Sequence, residues 1–243
     1  MRYLLCPKQY RAERCIENSF SDNVSAILGG NSQAGKTTVA KRLIKNADRT
    51  RIYTAYVSGS FTKAYGNVEL AFSAALGLPV TSDFMYFHNI ERTLKDLIGG
   101  REFWLVFDDA SVHFGGGAEQ RNASISLMRT LVRSFPSVKI LFVGRIDIFN
   151  GGLKEVVPNQ PRYVTIDAWQ SGQASRAFIT QIGEACGFKS SQLTDDYFID
   201  RLLEKSDGAS GAIIKIFQAL ARHSRYKTYP YLPSECLRNL WNF

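Results

Sequence analysis

The run Gly30-Asn31-Ser32-Gln33-Ala34-Gly35-Lys36-Thr37 has the spacing G-x-x-x-x-G-K-[ST]. These residue types at this spacing suit the capture of a polyphosphate. Glycine adopts backbone angles that turn successive N–H groups inward, which makes a nest for anionic oxygens. A helix opening at the end of the run aims its positive N-terminus at the same oxygens. Lys36 would then bind the β- and γ-phosphate oxygens and Thr37 would hold Mg²⁺. The expected ligands are ATP and Mg²⁺, and Gly30 through Thr38 are the expected nucleotide-binding residues. A chance Gly-rich turn is the plain alternative. The flanks oppose it, because Val24–Leu28 reads as a buried strand and Thr37–Asn46 as a helix.

Seventy-two residues beyond Lys36, the strand-like run Phe103-Trp104-Leu105-Val106-Phe107 ends in Asp108-Asp109. An apolar strand ending in an acid is the source of the Mg²⁺-side carboxylate in P-loop nucleotidases, and Asp108 is the candidate. Asp109 would polarise the attacking water, or else cap the next helix. As an Asp it is one methylene shorter than the usual Glu, so slow, switch-like hydrolysis is expected. A further apolar run, Lys139–Val143, leads into Gly144-Arg145-Ile146-Asp147. Arg145 or Asp147 would face the γ-phosphate there; surface positions on a loop are the alternative. In ATPases with an additional strand, this strand lies between the phosphate-loop strand and the Asp108 strand. Arg162 could reach a neighbouring subunit's γ-phosphate as an arginine finger, or be an ordinary edge charge.

Strand and helix signals alternate through residue 166. Arg51–Val57, Glu102–Phe107, Val138–Val143 and Arg162–Ile166 read as strands beside the first. Helical periods occupy 9–20, 68–76, 90–97 and 124–135. The polar segments SGSFTKAYGN (58–67) and HFGGGAEQRN (113–122) read as loops. From about Gln170 only helices follow, at 173–186, 194–205 and 211–222. The expected fold is α/β, a parallel five-stranded sheet flanked by helices (1–168), with a small helical lid and a basic C-terminal tail (169–243).

The 243 residues are 45% hydrophobic and 21% charged, which excludes wholesale disorder. No apolar run reaches the roughly 18–20 residues of a membrane span. MRYLLCPKQY is too short in apolar residues for a signal-peptide core, so a cytoplasmic protein is expected. Cys6, Cys15, Cys186 and Cys236 are scattered, which argues for reduced thiols over a zinc site or a disulfide framework. Net charge is +8 and the isoelectric point about 9.3. The excess lies at the ends: residues 1–63 hold 11 Lys and Arg against 4 acids, and residues 64–199 hold 12 against 14. Basic ends suit a polyanion such as duplex DNA, or serve solubility alone. Lys63 and Arg121, on the two polar segments, are the preferred phosphate contacts, with solvated side chains the alternative. The tail holds Arg222, Arg225 and Lys227 among Tyr226, Tyr229 and Tyr231, which would touch DNA or a partner, or pack in a core.

The stretches GGNSQAGKTTVAKRL, FWLVFDDASVHFGGG, VGRID, PRYVTIDAW and EKSDGASGAIIKIFQALARHS, in this order, resemble the AAA+ superfamily from about Gln9 to Ser224. Within it, the chain is similar to TniB/TnsC-type transposition regulators. The resemblance implies an ATP-dependent DNA-binding protein that directs a transposase to its target. It also implies a homo-oligomeric ring or filament with nucleotide between subunits, bridged by the neighbour's Arg162. There are departures. The acidic pair is Asp108-Asp109 in place of Asp-Glu, and Arg145 stands where the family has a small polar residue. Ser210-Gly211-Ala212 lacks the Arg that many such lids carry, with Lys215 one turn further on. A helicase loader or other replication ATPase, and a STAND-like nucleotide switch without DNA, are the alternatives.

Overall fold

A computed structural model describes residues 6–78, 87–114, 117–144 and 160–223, with the single positions 157, 232 and 237. Arg145, Asp147 and most of the basic tail, Arg225 and Lys227 with its three tyrosines included, lie outside the described residues. Five strands form one sheet: β1 (Ala26–Gly30), β2 (Ile52–Val57), β3 (Glu102–Asp108), β4 (Lys139–Val143) and β5 (Arg162–Ile166). Their order is β2-β3-β4-β1-β5 and every pairing is parallel. The additional strand β4 therefore lies between the phosphate-loop strand and the Asp108 strand, as expected. All five strands end at one edge, and every loop that follows a strand starts there.

The strands read as continuous apolar runs because helices cover the sheet. Phe103, Phe107 and Phe142 are each buried, with Phe107 and Phe142 stacked at 5.9 Å. They pack with Phe72, Leu94, Met128 and Leu131. These four come from α4 (Val68–Ala75), α5 (Phe87–Ile98) and α7 (Ala118–Ser134). Two further helices, α1 (Pro7–Ser21) and α2 (Lys36–Asn46), are joined by Arg42, whose guanidinium meets the buried Glu13 at 3.1 Å.

Two segments expected to be loops are helical. Residues 58–67 contain α3 (Gly59–Tyr65). Ser58 caps its start and Gly66, at φ 66°, closes it; Asn67 then caps α4 by accepting from the Glu69 amide at 2.6 Å. The Ser, Gly and Asn that suggest a loop are thus helix-terminating residues. Residues 113–122 fall largely in α6 (Ala110–Phe114) and the first turn of α7. Ala118, Glu119, Gln120 and Arg121 are strong helix formers. Their exposed, polar face hides the helical period.

The described chain divides into two compact units. The first comprises residues through Gly30 and Lys36–Ile166; the second comprises Asn31–Gly35 and the residues from Asp167 on. The second unit holds α8 (Gln173–Ala185), a 3₁₀ turn (Ser190–Leu193), α9 (Asp196–Lys205) and α10 (Ser210–Arg222). Trp169 is its anchor. The indole stacks on Phe178 at 4.7 Å and donates from Nε1 to Ser210 Oγ at 2.9 Å. Among the described residues no helix is long and apolar enough to cross a membrane.

Candidate nucleotide site

The end of β1 requires glycine. Gly30 has φ 135°, and a Cβ there would stand 2.7 Å from the Ile166 carbonyl of β5. Backbone angles outside the usual regions continue through the loop, with Gln33 at φ 59° and Gly35 at φ 94°. The Ala34 amide donates to the Asn31 carbonyl at 3.2 Å and so closes the tip of the loop. The Gln33 carbonyl points outward and accepts from the Gly211 amide at 2.8 Å, where α10 begins.

In the first unit, α2 opens at Lys36, which sets Lys36 and Thr37 at its positive end. The Lys36 ammonium donates to the Gly30 carbonyl at 2.8 Å. Burial lowers its pKa, and the nearby carboxylates of Asp108 and Asp109 oppose that fall. Thr37 Oγ1 donates to Asp108 Oδ1 at 3.2 Å, across 71 residues of sequence. Tyr56 on β2 donates its hydroxyl to Asp108 Oδ2. Asp108 is buried at the end of β3 with both oxygens bonded to hydroxyls. Tyr56 is the member of the site that sequence reasoning missed. Only the β2–β3 pairing puts it beside Asp108, and strand alternation offered the one hint of it.

This donor set fits Mg²⁺. The cation prefers oxygen ligands and is held by one or two protein groups plus substrate phosphates. Thr37 and Asp108 supply hard oxygens side by side. Among the described residues no group of three His, Cys, Asp or Glu could hold a metal by itself; a Mg²⁺ ion between Thr37 and Asp108 would complete its shell with waters and phosphate oxygens.

Asp109 lies one residue past β3. It is exposed and adopts φ 55°. Its carbonyl accepts from the Val112 amide at 2.7 Å, so it opens the turn into α6 by its backbone. No side-chain cap by Asp109 is among the described bonds, and its carboxylate remains exposed on the Lys36 side of the strand. Behind it, His113 is fully buried. Burial lowers the His113 pKa; the carbonyls of Asp108 and Val57 and the acids Asp109 and Asp108 pull it the other way.

The remaining candidates are spread out. Lys63 is exposed on α3 and Arg121 is exposed in the first turn of α7, so neither sits on a loop. α3 follows β2 directly, and α7 comes after β3 with α6 between them. Arg162 opens β5 and pairs in register with Ala26, at the opposite edge of the sheet. Its guanidinium meets Asp22 Oδ2 at 2.9 Å. Toward the phosphate loop of its own chain it has no part. Lys215 is exposed on α10.

No family model matches this chain, and no curated protein does. Solved structures do. The Walker-type ATPase of Pyrococcus abyssi superposes with a TM-score of 0.63 at 13% identity, over 92% of this chain and 71% of that one. The Aeropyrum pernix ORC1 protein in complex with DNA gives 0.64 at 13%, over 97% and 65%. The Aeropyrum pernix ORC2 protein, solved as ADPNP and ADP complexes, gives 0.62 at 14%, over 98% and 69%. The chain has the AAA+ P-loop fold. At such identities the AAA+ likeness is one of fold. The neighbours share the fold that the motifs suggest, and they do not support the narrower TniB/TnsC assignment. The chain spans about two thirds of the length of these AAA+ neighbours.

Proposed function

We propose that this chain is an ATP-binding and ATP-hydrolysing AAA+ module that assembles with its own copies on duplex DNA. The observation that carries the reading is the meeting of Thr37 with Asp108, with Lys36 beside them at the start of α2. Lys36 exchanges the Gly30 carbonyl for phosphate oxygens. Thr37 and Asp108 hold Mg²⁺, which when bound neutralises charge on the phosphates. Asp109 orients the attacking water, and its exposed carboxylate is free to do so. Arg162, at the far edge of its own sheet, acts on a neighbour's nucleotide.

Duplex DNA lies along α3 and α7. Lys63 and Arg121 contact phosphates, and the exposed rings of Phe61 and Tyr65 flank Lys63 on α3. The basic N-terminal quarter strengthens the hold without reading sequence. The resemblance in sequence names a transposase as protein partner. The ORC neighbours, one of them solved with DNA, favour the second reading, a replication ATPase acting on a helicase. Co-purification with one or the other separates these two.

The deciding experiment is duplex binding at rising salt, with ATP, a non-hydrolysable analogue and no nucleotide. Binding that needs triphosphate, weakens steeply with salt and comes with assembly is expected. A monomer that ignores DNA under every nucleotide condition removes the reading and leaves a nucleotide switch.

A further inference from the structure

His113 is absent from the site as assembled above, yet its imidazole touches both of that site's flanks. The ring is fully buried against Phe107, with the ring centroids 5.4 Å apart and nearly perpendicular. Nε2 lies 2.8 Å from the Asp108 carbonyl and Nδ1 lies 2.6 Å from Thr62 Oγ1. A carbonyl only accepts, so Nε2 carries the proton. In the neutral ring that burial favours, Nδ1 accepts from the Thr62 hydroxyl. Thr62 is itself buried, one residue before Lys63 and between the exposed Phe61 and Tyr65.

The Asp108 carbonyl and the Asp109 amide are two ends of one planar peptide. Holding the oxygen holds the plane from which Asp109 departs. Asp109 leaves it at φ 55°, a left-handed conformation that a non-glycine residue keeps only when its surroundings impose it. The imposition is visible on the other side too. Gly59 opens α3 directly against Asp109, and a Cβ on Gly59 would stand 2.7 Å from the Asp109 Cβ. The α6 segment that bears His113 is tied down in turn. Ser124 of α7 donates to the His113 carbonyl at 2.6 Å, and Gln120 donates to the Val112 carbonyl at 3.0 Å.

We propose that His113 is a positioning residue for Asp109, holding the Asp108–Asp109 peptide in place, and that Thr62 makes this hold responsive to what occupies α3. The inference rests on the hydrolytic and DNA-binding reading above and adds the route between its two sites. A duplex that shifts α3 moves the Thr62 hydroxyl, the imidazole and the Asp109 carboxylate together.

The test uses the full chain with ATP turnover measured with and without duplex DNA, beside nucleotide affinity and thermal unfolding. Thr62→Val keeps the shape and removes the hydroxyl; Thr62→Ser restores it. The expected result is that Thr62→Val loses about fivefold of the turnover seen with DNA, the worth of one hydrogen bond. Nucleotide affinity stays at the wild-type value and Thr62→Ser recovers the rate. A Thr62→Val chain that responds to DNA as the wild type does overturns the link to α3. His113→Leu tests the other half without DNA, since it keeps an apolar side chain against Phe107 and removes the donor to the Asp108 carbonyl. A fall in kcat at unchanged KM is expected, and an unchanged kcat overturns the positioning role. Wild-type turnover that ignores DNA would instead remove the DNA reading, and the His113→Leu result would still decide the positioning role.

Discussion

The amide of Gly211 donates to the carbonyl of Gln33 at 2.8 Å, and a Cβ on Gly211 would stand 2.5 Å from that oxygen. The tip of the phosphate loop and the first turn of α10 are therefore tied through the main chain. Glycine permits this bond because it carries no Cβ to meet the carbonyl. Gly211→Ala forces the two strands of backbone apart. The expected cost is about 1–3 kcal/mol in stability. Nucleotide affinity should fall with it, measured by thermal unfolding and by titration with a fluorescent ATP analogue. Wild-type affinity in this variant would show that the tie does not shape the loop.

Lys36→Ala removes the one ammonium at the start of α2. Charge-assisted hydrogen bonds to phosphate are each worth about 1.5–3 kcal/mol, so ATP affinity should weaken about 100-fold. Thr37→Val and Asp108→Asn should abolish the dependence of ATP affinity on Mg²⁺ and leave a weaker, metal-independent binding. Calorimetry with and without chelator reads both effects.

Asp109→Asn keeps size and hydrogen bonding but removes the basic carboxylate. Turnover should fall about 10²–10⁴-fold, the usual worth of a positioned base. ATP-dependent assembly on DNA should persist and last longer. Steady-state phosphate release, set beside sedimentation, separates the two. Unchanged release takes Asp109 out of the base role.

Arg162→Ala should leave nucleotide affinity of the isolated chain unchanged, because Arg162 opens β5 at the far edge of its own sheet. The exposed pair with Asp22 adds at most about 1 kcal/mol, so the melting temperature should barely move. Turnover at assembling concentrations should drop about 10³-fold or more. Asp22→Ala is the control: it breaks the same ion pair and should keep turnover.

His113 also sets a pH dependence. Burial holds its folded pKa below the ordinary value of about 6.5. Above that value both folded and unfolded chains carry a neutral ring, and the full stability is present. As pH falls below it, the unfolded chain takes the proton first, so stability declines by up to about 1.4 kcal/mol per pH unit. Urea unfolding at pH 7.5, 6.5 and 5.5 should show this slope, and His113→Gln should flatten it.

The phosphate loop, the acids after β3 and the alternation of strand with helix were legible in sequence. Each depends on local chemistry: glycine torsions, an unbroken apolar run, the helical period. Lys36, Thr37 and Asp108 could be named because their motifs carry them. Other features were not legible locally. Ser58, Gly66 and Asn67 read as loop residues because the same side chains that favour turns also terminate helices, and only the α3–α4 packing tells the two apart. Tyr56 joined Asp108 through the β2–β3 register, which no spacing along the chain reveals. Residue type alone left Arg162 open between a finger and an edge charge; the parallel sheet put it at the edge away from its own phosphate loop. His113 gave no signal, since an isolated histidine acquires meaning only when folding buries it between a hydroxyl 51 residues away and the carbonyl of an acid five residues back. Local torsion and apolar patterning act between near neighbours and are written in order along the chain. Hydrogen bonds between distant groups exist only after the sheet has chosen its strand order, and that choice belongs to tertiary structure.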